Sequence, residues 1–215
     1  MKNFLNSFLK YFYNNLYHSF AWSYDFVARF VSGGEWFEWV YQILPFVTQQ
    51  EMILEIGFGT GKLINKISNR GKKIFGIDES QSMIKITKNR FTTTQHSPII
   101  TRGDSSSLPF RNDSFDLILT TFPSEFVFSE KFHQELIRVL RSPGKFIALI
   151  AVSYNKRSFI DIFYRFIYML TKQSFSIDSL EQKLSTIPWF GNIKHEITTI
   201  EYKGRQLFFL TIEKF

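Results

Sequence analysis

The stretch Glu55-Ile-Gly57-Phe58-Gly59-Thr60-Gly61 sets three glycines at alternate positions behind an acid and an apolar run. A glycine turn between a strand and a helix brings backbone N–H groups close to a ligand, because a Cβ there would block the approach. Three nucleotide-binding motifs compete for such a turn, and spacing separates them. The dinucleotide fingerprint G-x-G-x-x-G asks for a small residue at position 62, where this chain has Lys62. The phosphate-binding loop G-x-x-x-x-G-K-[ST] asks for glycine at 56 and Ser or Thr at 63, where Ile56 and Leu63 stand. Both readings fail. What remains is E-x-G-x-G-x-G, followed by a second acid, Asp78, at the end of the next apolar run.

These residues need elements to position them, and the chain supplies an alternation. From Glu51 onward, apolar runs ending in Gly or Asp alternate with helical patterns: Met52–Ile56, Gly61–Asn69, Lys73–Asp78, Ser80–Phe91. That order predicts a parallel sheet with crossover helices. Phe115–Thr121 reads as a fourth strand, and Phe132, Leu136, Val139 and Leu140 form the apolar stripe of the helix after it, which Pro143-Gly144 stops. Lys145–Val152 is apolar enough for a buried fifth strand. Ile193–Tyr202 and Gln206–Lys214 flank Lys203-Gly204-Arg205, a hairpin signal, so the sheet ends antiparallel. The predicted class is α/β: seven strands, mostly parallel with a C-terminal antiparallel hairpin, helices on both faces and extra N-terminal helices. No repeat or low-complexity linker divides the chain. One domain over 1–215 is expected, with an N-terminal helical lid at 1–45, a core at 51–152, a helical insertion at 153–190 and a hairpin at 191–215.

Composition narrows the chemistry. With 215 residues, 44% of them apolar and 21% charged, the chain can bury a core without staples. It has no Cys, which excludes disulfides, thiolate nucleophiles and Cys-ligated metals. Four His, at 18, 96, 133 and 195, show no metal-binding spacing, so no metal is expected. The net charge of +7 is spread thinly: three basic against three acidic groups in 1–50, fourteen against ten in 51–155, nine against six in 156–215. A nucleic-acid partner is therefore disfavoured, and the basic stretch from Lys62 to Arg90 reads as a solvated helical face. No run is long enough to span a membrane, and the N-terminus lacks a signal peptide's apolar core, which makes a cytoplasmic protein the simplest expectation.

Five further elements in order accompany the glycine turn: Gly76-Ile-Asp78-Glu79-Ser80, Gly103-Asp104, Leu108-Pro109-Phe110, Phe115-Asp116-Leu117 and Leu140-Arg-Ser-Pro143-Gly144. With them the chain resembles, over roughly Tyr24 to Ala151, the class I S-adenosylmethionine-dependent methyltransferases, in the ubiquinone/menaquinone-biosynthesis-like (type 11) branch. The resemblance implies a Rossmann-like fold with S-adenosyl-L-methionine as cofactor. It also implies roles by position. Asp78 accepts from both ribose hydroxyls, with Glu79 beside it; the alternative, a helix cap, is already met by Ser80. Asp104 and Ser105 face the adenine, Asp104 having an Asx-turn role as its alternative. Met83 packs on the adenine ring or in its helix's core. Glu55 orients the turn Gly57, Phe58, Gly59, Thr60, Gly61 and the amino end of the cofactor. Phe58 departs from the small residue usual there and narrows the pocket or shields the sulfonium. Thr121, ending the fourth strand, and Phe122 after it line the cofactor site, and Tyr24, within a Tyr24-Asp25 pair like the family's, touches the methionine end.

Methyl transfer from a sulfonium is an in-line displacement, in which positioning alone can lower the barrier by roughly 7–11 kcal/mol. No acid or base is required, and His18, His133 and Glu125 are left unassigned. Thr120-Thr-Phe-Pro123-Ser lacks the Asp/Asn-Pro-Pro-Tyr/Phe signature of amide- and base-nitrogen methylation, and cytosine-carbon methylation needs a Cys. The acceptor is expected over the carboxyl ends of the strands, under aromatic-rich segments. Phe4, Phe8, Phe12, Leu16 and Phe20 recur every fourth residue, as do Phe159, Phe163, Phe166 and Leu170. The N-terminal stripe is read as a lid, with peripheral membrane contact as the alternative. Either favours a small, apolar or aromatic acceptor. Two other functions stay open: a non-catalytic S-adenosylmethionine-binding protein and an RNA-directed methyltransferase.

Overall fold

The computed structural model describes residues 24–47, 50–91, 97–153, 182, 184–185, 187 and 193–215. The stripes at 4–20 and 159–170, together with His18, His96 and most of the expected insertion, lie outside the described residues.

The described chain opens with α1 (Tyr24–Val31) and α2 (Trp36–Val40), the expected extra N-terminal helices, and a 3-10 segment, Tyr41–Val47. Then follow β1 (Met52–Ile56), α3 (Lys62–Ser68), β2 (Lys73–Asp78), α4 (Gln81–Arg90) and β3 (Ile99–Arg102). β4 (Phe115–Thr121), a short 3-10 turn (Glu125–Phe128) and α5 (Glu130–Val139) lead into β5 (Leu140–Val152). β6 (Ile193–Tyr202) and β7 (Arg205–Lys214) complete a seven-stranded sheet in the order β3-β2-β1-β4-β5-β7-β6. The first five strands are parallel; β7 runs antiparallel to both β5 and β6.

Alternating side chains sort into two layers. Ile53, Leu117, Leu119, Ile147 and Leu149 face one side, against Trp39, Val40 and Ile43 and against Leu63, Ile64 and Ile67 of α3. Leu54, Ile56, Ile118, Phe146 and Ala148 face the other, against Phe132, Leu136 and Val139 of α5. Strands covered on both faces have no polar side to alternate with, which is why β1, β4 and β5 are nearly continuous apolar runs.

Two strands begin earlier than expected. α5 ends at Val139, and Leu140 already pairs with Phe115 of β4, so Pro143-Gly144 lies within β5 and does not stop the helix. Leu140 is fully buried in the α5 layer, and an apolar residue satisfies a strand there as well as a helix stripe. Similarly, Arg205 belongs to β7, one residue earlier than expected.

Candidate functional site

Strand order reverses between β1 and β4, which leaves a crevice outside their carboxyl ends, the place where open α/β sheets bind ligands. The glycine turn sits at its edge. Gly57, Gly59 and Gly61 all have positive φ, at 71°, 54° and 76°. A Cβ on Gly57 or Gly59 would meet nothing within 4 Å, so backbone conformation and room for a ligand are what these two require. At Gly61 a Cβ would also run into the Thr87 side chain of α4.

The turn is braced from three sides. Gly57 N donates to Ile77 O at 2.8 Å, Gly59 N to Asp78 Oδ2 at 2.8 Å, and Thr87 Oγ1 to Gly59 O at 3.0 Å. The crevice holds a cavity of about 220 Å³ lined by Gly57, Gly59, Asp78, Glu79, Ser80, Asp104, Ser105, Thr121 and Phe122, with Thr120, Pro123, Ser124 and Phe126 beyond them. A smaller cavity of about 50 Å³ shares Gly57, Gly59 and Thr121 with it and adds Glu55, Phe58, Thr60 and Lys62, under Trp36 and Phe37 of α2.

Asp78 is nearly buried, at 9% exposure. Its second oxygen, Oδ1, accepts from Ser80 N at 2.9 Å, while Ser80 Oγ caps α4 by accepting from Met83 N. Each Asp78 oxygen thus holds a backbone donor at the edge of the cavity that the residue lines. Glu79 is exposed at the rim, its carbonyl taken by Arg102 Nε at 2.9 Å. Asp104 accepts from Ser106 N and Ser106 Oγ, both at 2.8 Å, so the Asx-turn role is real even though the residue also lines the cavity. The Ser106 N–H and hydroxyl hold its carboxyl below the ordinary range.

For two of the expected site residues the placement separates the alternatives. Met83 is completely buried and lines neither cavity; it is a core residue of α4, and ring packing on a ligand is not what this placement supports. Phe58 is 4% exposed and turns into the core beside Ile64, over Gly76, where an added Cβ would come within 2.7 Å of its ring. The absence of a side chain at Gly76 is what admits a phenyl ring in the turn. Phe58 lines the smaller cavity, where it narrows the space, and does not line the larger one.

Glu55 is buried at 1% exposure, and its Oε2 has no hydrogen-bond partner among the described residues. Burial first, then the nearby charge of Asp78, raises its pKa well above the ordinary carboxylate value, against the lowering effect of a backbone N–H from Ile64. A ligand cation reaching the smaller cavity would satisfy that oxygen.

Sequence reasoning took Tyr24 from its pair and passed over Asp25. Tyr24 opens α1; beside it, Asp25 accepts from Thr60 Oγ1 of the turn at 2.6 Å and from Arg90 Nη2 of α4 at 2.6 Å, with Lys62 Nζ 3.2 Å away. A second missed contact is Trp36, whose ring lies 4.2 Å from that of Phe122. Phe122 holds φ at 48°, a strained value for a bulky residue, with its N–H on Leu149 O at 2.7 Å. A third is Arg138, which pairs with Glu135 and donates to Leu108 O and Phe110 O, while Leu108 N donates to Glu135 Oε2. That network anchors the Leu108-Pro109-Phe110 segment behind Asp104.

His133 is buried, its Nε2 2.8 Å from Val127 O, and burial pushes its pKa down to about 4, so it is a packing residue. Glu125 is exposed in the 3-10 turn after β4 and lines neither cavity. Among the described residues, no group of three His, Cys, Asp or Glu side chains gathers to hold a metal, and no helix is long and apolar enough to cross a membrane.

Comparison with known proteins agrees with this geometry. Residues 54–148 match the model of a family described as a methyltransferase domain. A demethylmenaquinone methyltransferase of Tropheryma whipplei (strain Twist) is 30% identical over 154 residues, covering 70% of this chain and 62% of that protein, so the chain spans less than two thirds of its relative's length. A crystal structure of a SAM-dependent methyltransferase from Methanosarcina mazei superposes with a TM-score of 0.56 at 19% identity, over 81% of this chain and 97% of that one. A Haemonchus contortus phosphoethanolamine N-methyltransferase, solved with phosphomonomethylethanolamine and S-adenosylhomocysteine, superposes with a TM-score of 0.60 at 14% identity, over 88% and 57%. Its core thus matches a methyltransferase domain, its sequence is similar to a demethylmenaquinone methyltransferase over most of its length, and its mostly parallel seven-stranded sheet closed by an antiparallel hairpin is the fold of these solved methyltransferases.

Proposed function

We propose that this chain transfers a methyl group from S-adenosylmethionine to a small, apolar or aromatic acceptor by in-line displacement. One observation carries the reading: at the β1/β4 reversal, the positive-φ glycine turn, the buried Asp78 and the orphaned Glu55 oxygen converge on two cavities that meet at Gly57, Gly59 and Thr121. The donor set fits the cofactor. Asp78 offers acceptors for ribose hydroxyls, Asp104 an acceptor for the adenine amine, and Glu55 a counter-charge for the ammonium group. When bound, the cofactor supplies an electrophilic methyl group on a positively charged sulfur.

The chain's own part is positioning. Thr121, Phe122 and Phe126, with Trp36 stacked on Phe122, give the acceptor side an apolar wall that excludes water and favours an uncharged ring or chain. Alignment, not proton transfer by a side chain, is where catalysis resides. The glycine turn and both acids support cofactor binding, a transferred methyl label separates turnover from binding alone, and the dispersed charge disfavours RNA as acceptor.

The test is metabolite profiling in cells fed methionine with a deuterated methyl group, with and without the protein. An apolar compound that carries the label only when the protein is present supports the reading. Identical label patterns under both conditions refute turnover of a small acceptor.

A further inference from the structure

Asp25 does not line either cavity, yet it is tied to the wall of one of them. Its Oδ1 takes the Thr60 hydroxyl of the glycine turn at 2.6 Å; its Oδ2 takes Arg90 Nη2 at 2.6 Å and lies 3.2 Å from Lys62 Nζ. Lys62 lines the smaller cavity, where its ammonium also sits 3.5 Å over the Phe37 ring. One carboxylate therefore stands among two cations at the edge of the glycine turn. Remove its charge and the turn is left beside two cations with no counter-ion between them among the described residues. That matters for one kind of ligand. A sulfonium carries a fixed positive charge, whereas the thioether left after methyl loss does not, and the two molecules are otherwise alike in shape and donors.

We propose that Asp25 is an electrostatic positioning residue: by offsetting Lys62 and Arg90 beside Thr60, it keeps the turn hospitable to a cationic sulfonium and so sets the preference for S-adenosylmethionine over S-adenosylhomocysteine. The inference rests on the methyltransferase reading above. Burial alone would raise the Asp25 pKa, but the Thr60 hydroxyl, Arg90 and Lys62 outweigh it and lower the value, so the carboxylate stays ionised at neutral pH. A purely mechanical strap holding α1 to the turn would serve both ligands equally. A charge effect serves only the sulfonium.

Asp25→Asn keeps an acceptor for Thr60 and removes the charge. Titration calorimetry of the full chain with S-adenosylmethionine and with S-adenosylhomocysteine should show a loss of about three- to tenfold for the sulfonium and less than about twofold for the thioether, the size a unit charge gives at partly exposed sites. The gap should narrow as salt rises. Lys62→Met leaves the Asp25–Arg90 pair in place and should move the affinity ratio the other way, toward the sulfonium; it also serves if Asp25→Asn does not fold. Equal losses for both ligands, or an unchanged ratio in both variants, would overturn the charge role. Failure of the unmodified chain to bind either ligand would instead overturn the methyltransferase reading on which the inference rests.

Discussion

Replacing Asp78 by Asn separates its structural work from its proposed work on the ribose. In the protein each carboxylate oxygen accepts one backbone N–H, from Gly59 at 2.8 Å and from Ser80 at 2.9 Å, in a site 9% exposed. Asparagine has one oxygen, so its NH2 must face one of those donors. A buried N–H left unpartnered costs about 1–3 kcal/mol, and hydrogen bonds to a charged group contribute about 1.5–3 kcal/mol each. Part of that loss is borne by the free protein and lowers its melting temperature. The part specific to binding, weaker acceptance from two hydroxyls and a displaced Gly59, comes to about 2–4 kcal/mol, or roughly thirtyfold to nearly a thousandfold in affinity. Calorimetric titration with S-adenosylhomocysteine, on protein shown to be folded by circular dichroism, measures it. An affinity within about threefold of the original, with the melting temperature lowered, would show that Asp78 only braces the turn.

Glu55→Gln should stabilise the free protein at neutral and alkaline pH. A raised pKa means that the folded state resists ionisation, so the native glutamate's contribution is full below its ordinary value of 4.5 and is lost as pH rises through the raised one. The stability difference between variant and parent, read by chemical denaturation, should therefore grow as pH rises from the ordinary value through the raised one and level off above it; a difference independent of pH would contradict the burial argument. Gly61→Ala combines a φ of 76° with a Cβ driven into Thr87, and should cost about 2–4 kcal/mol of stability and displace Thr87 from Gly59 O. A loss below about 1 kcal/mol would mean that the turn relaxes freely. Arg138→Met strips the donors from Leu108 O and Phe110 O and should cost about 1.5–3 kcal/mol, with faster amide exchange across Asp104–Phe110. Unchanged exchange there would remove the network from any role in holding that wall.

The glycine turn, Asp78 and most strand limits were legible in the sequence because each depends on local signals: positive-φ glycines, an acid ending an apolar run, a turn between two β-branched stretches. Leu140 was misread because an apolar side chain buried on the α5 layer looks the same whether a helix or a strand carries it. The direction of the Phe58 ring was out of reach for a different reason. It depends on Gly76, a residue on another strand, whose missing Cβ leaves room for the ring. The Asp25 cluster was out of reach because Arg90 lies 65 positions further along and meets Asp25 only after α1 and α4 have been docked on the same turn. Trp36 and Phe122 are likewise brought together by the fold, and no periodicity in either segment announces the contact.

On the proposed function, the crevice at the β1/β4 reversal takes a methyl donor and not a dinucleotide. Parallel calorimetric titrations of the full chain with S-adenosylmethionine, S-adenosylhomocysteine and NADH test it most directly. The arrangement of Glu55, Gly57 to Gly61 and Asp78 predicts saturable one-to-one binding of the first two and none of NADH. Saturable binding of NADH, or no heat from either adenosyl ligand with folded protein, would contradict it.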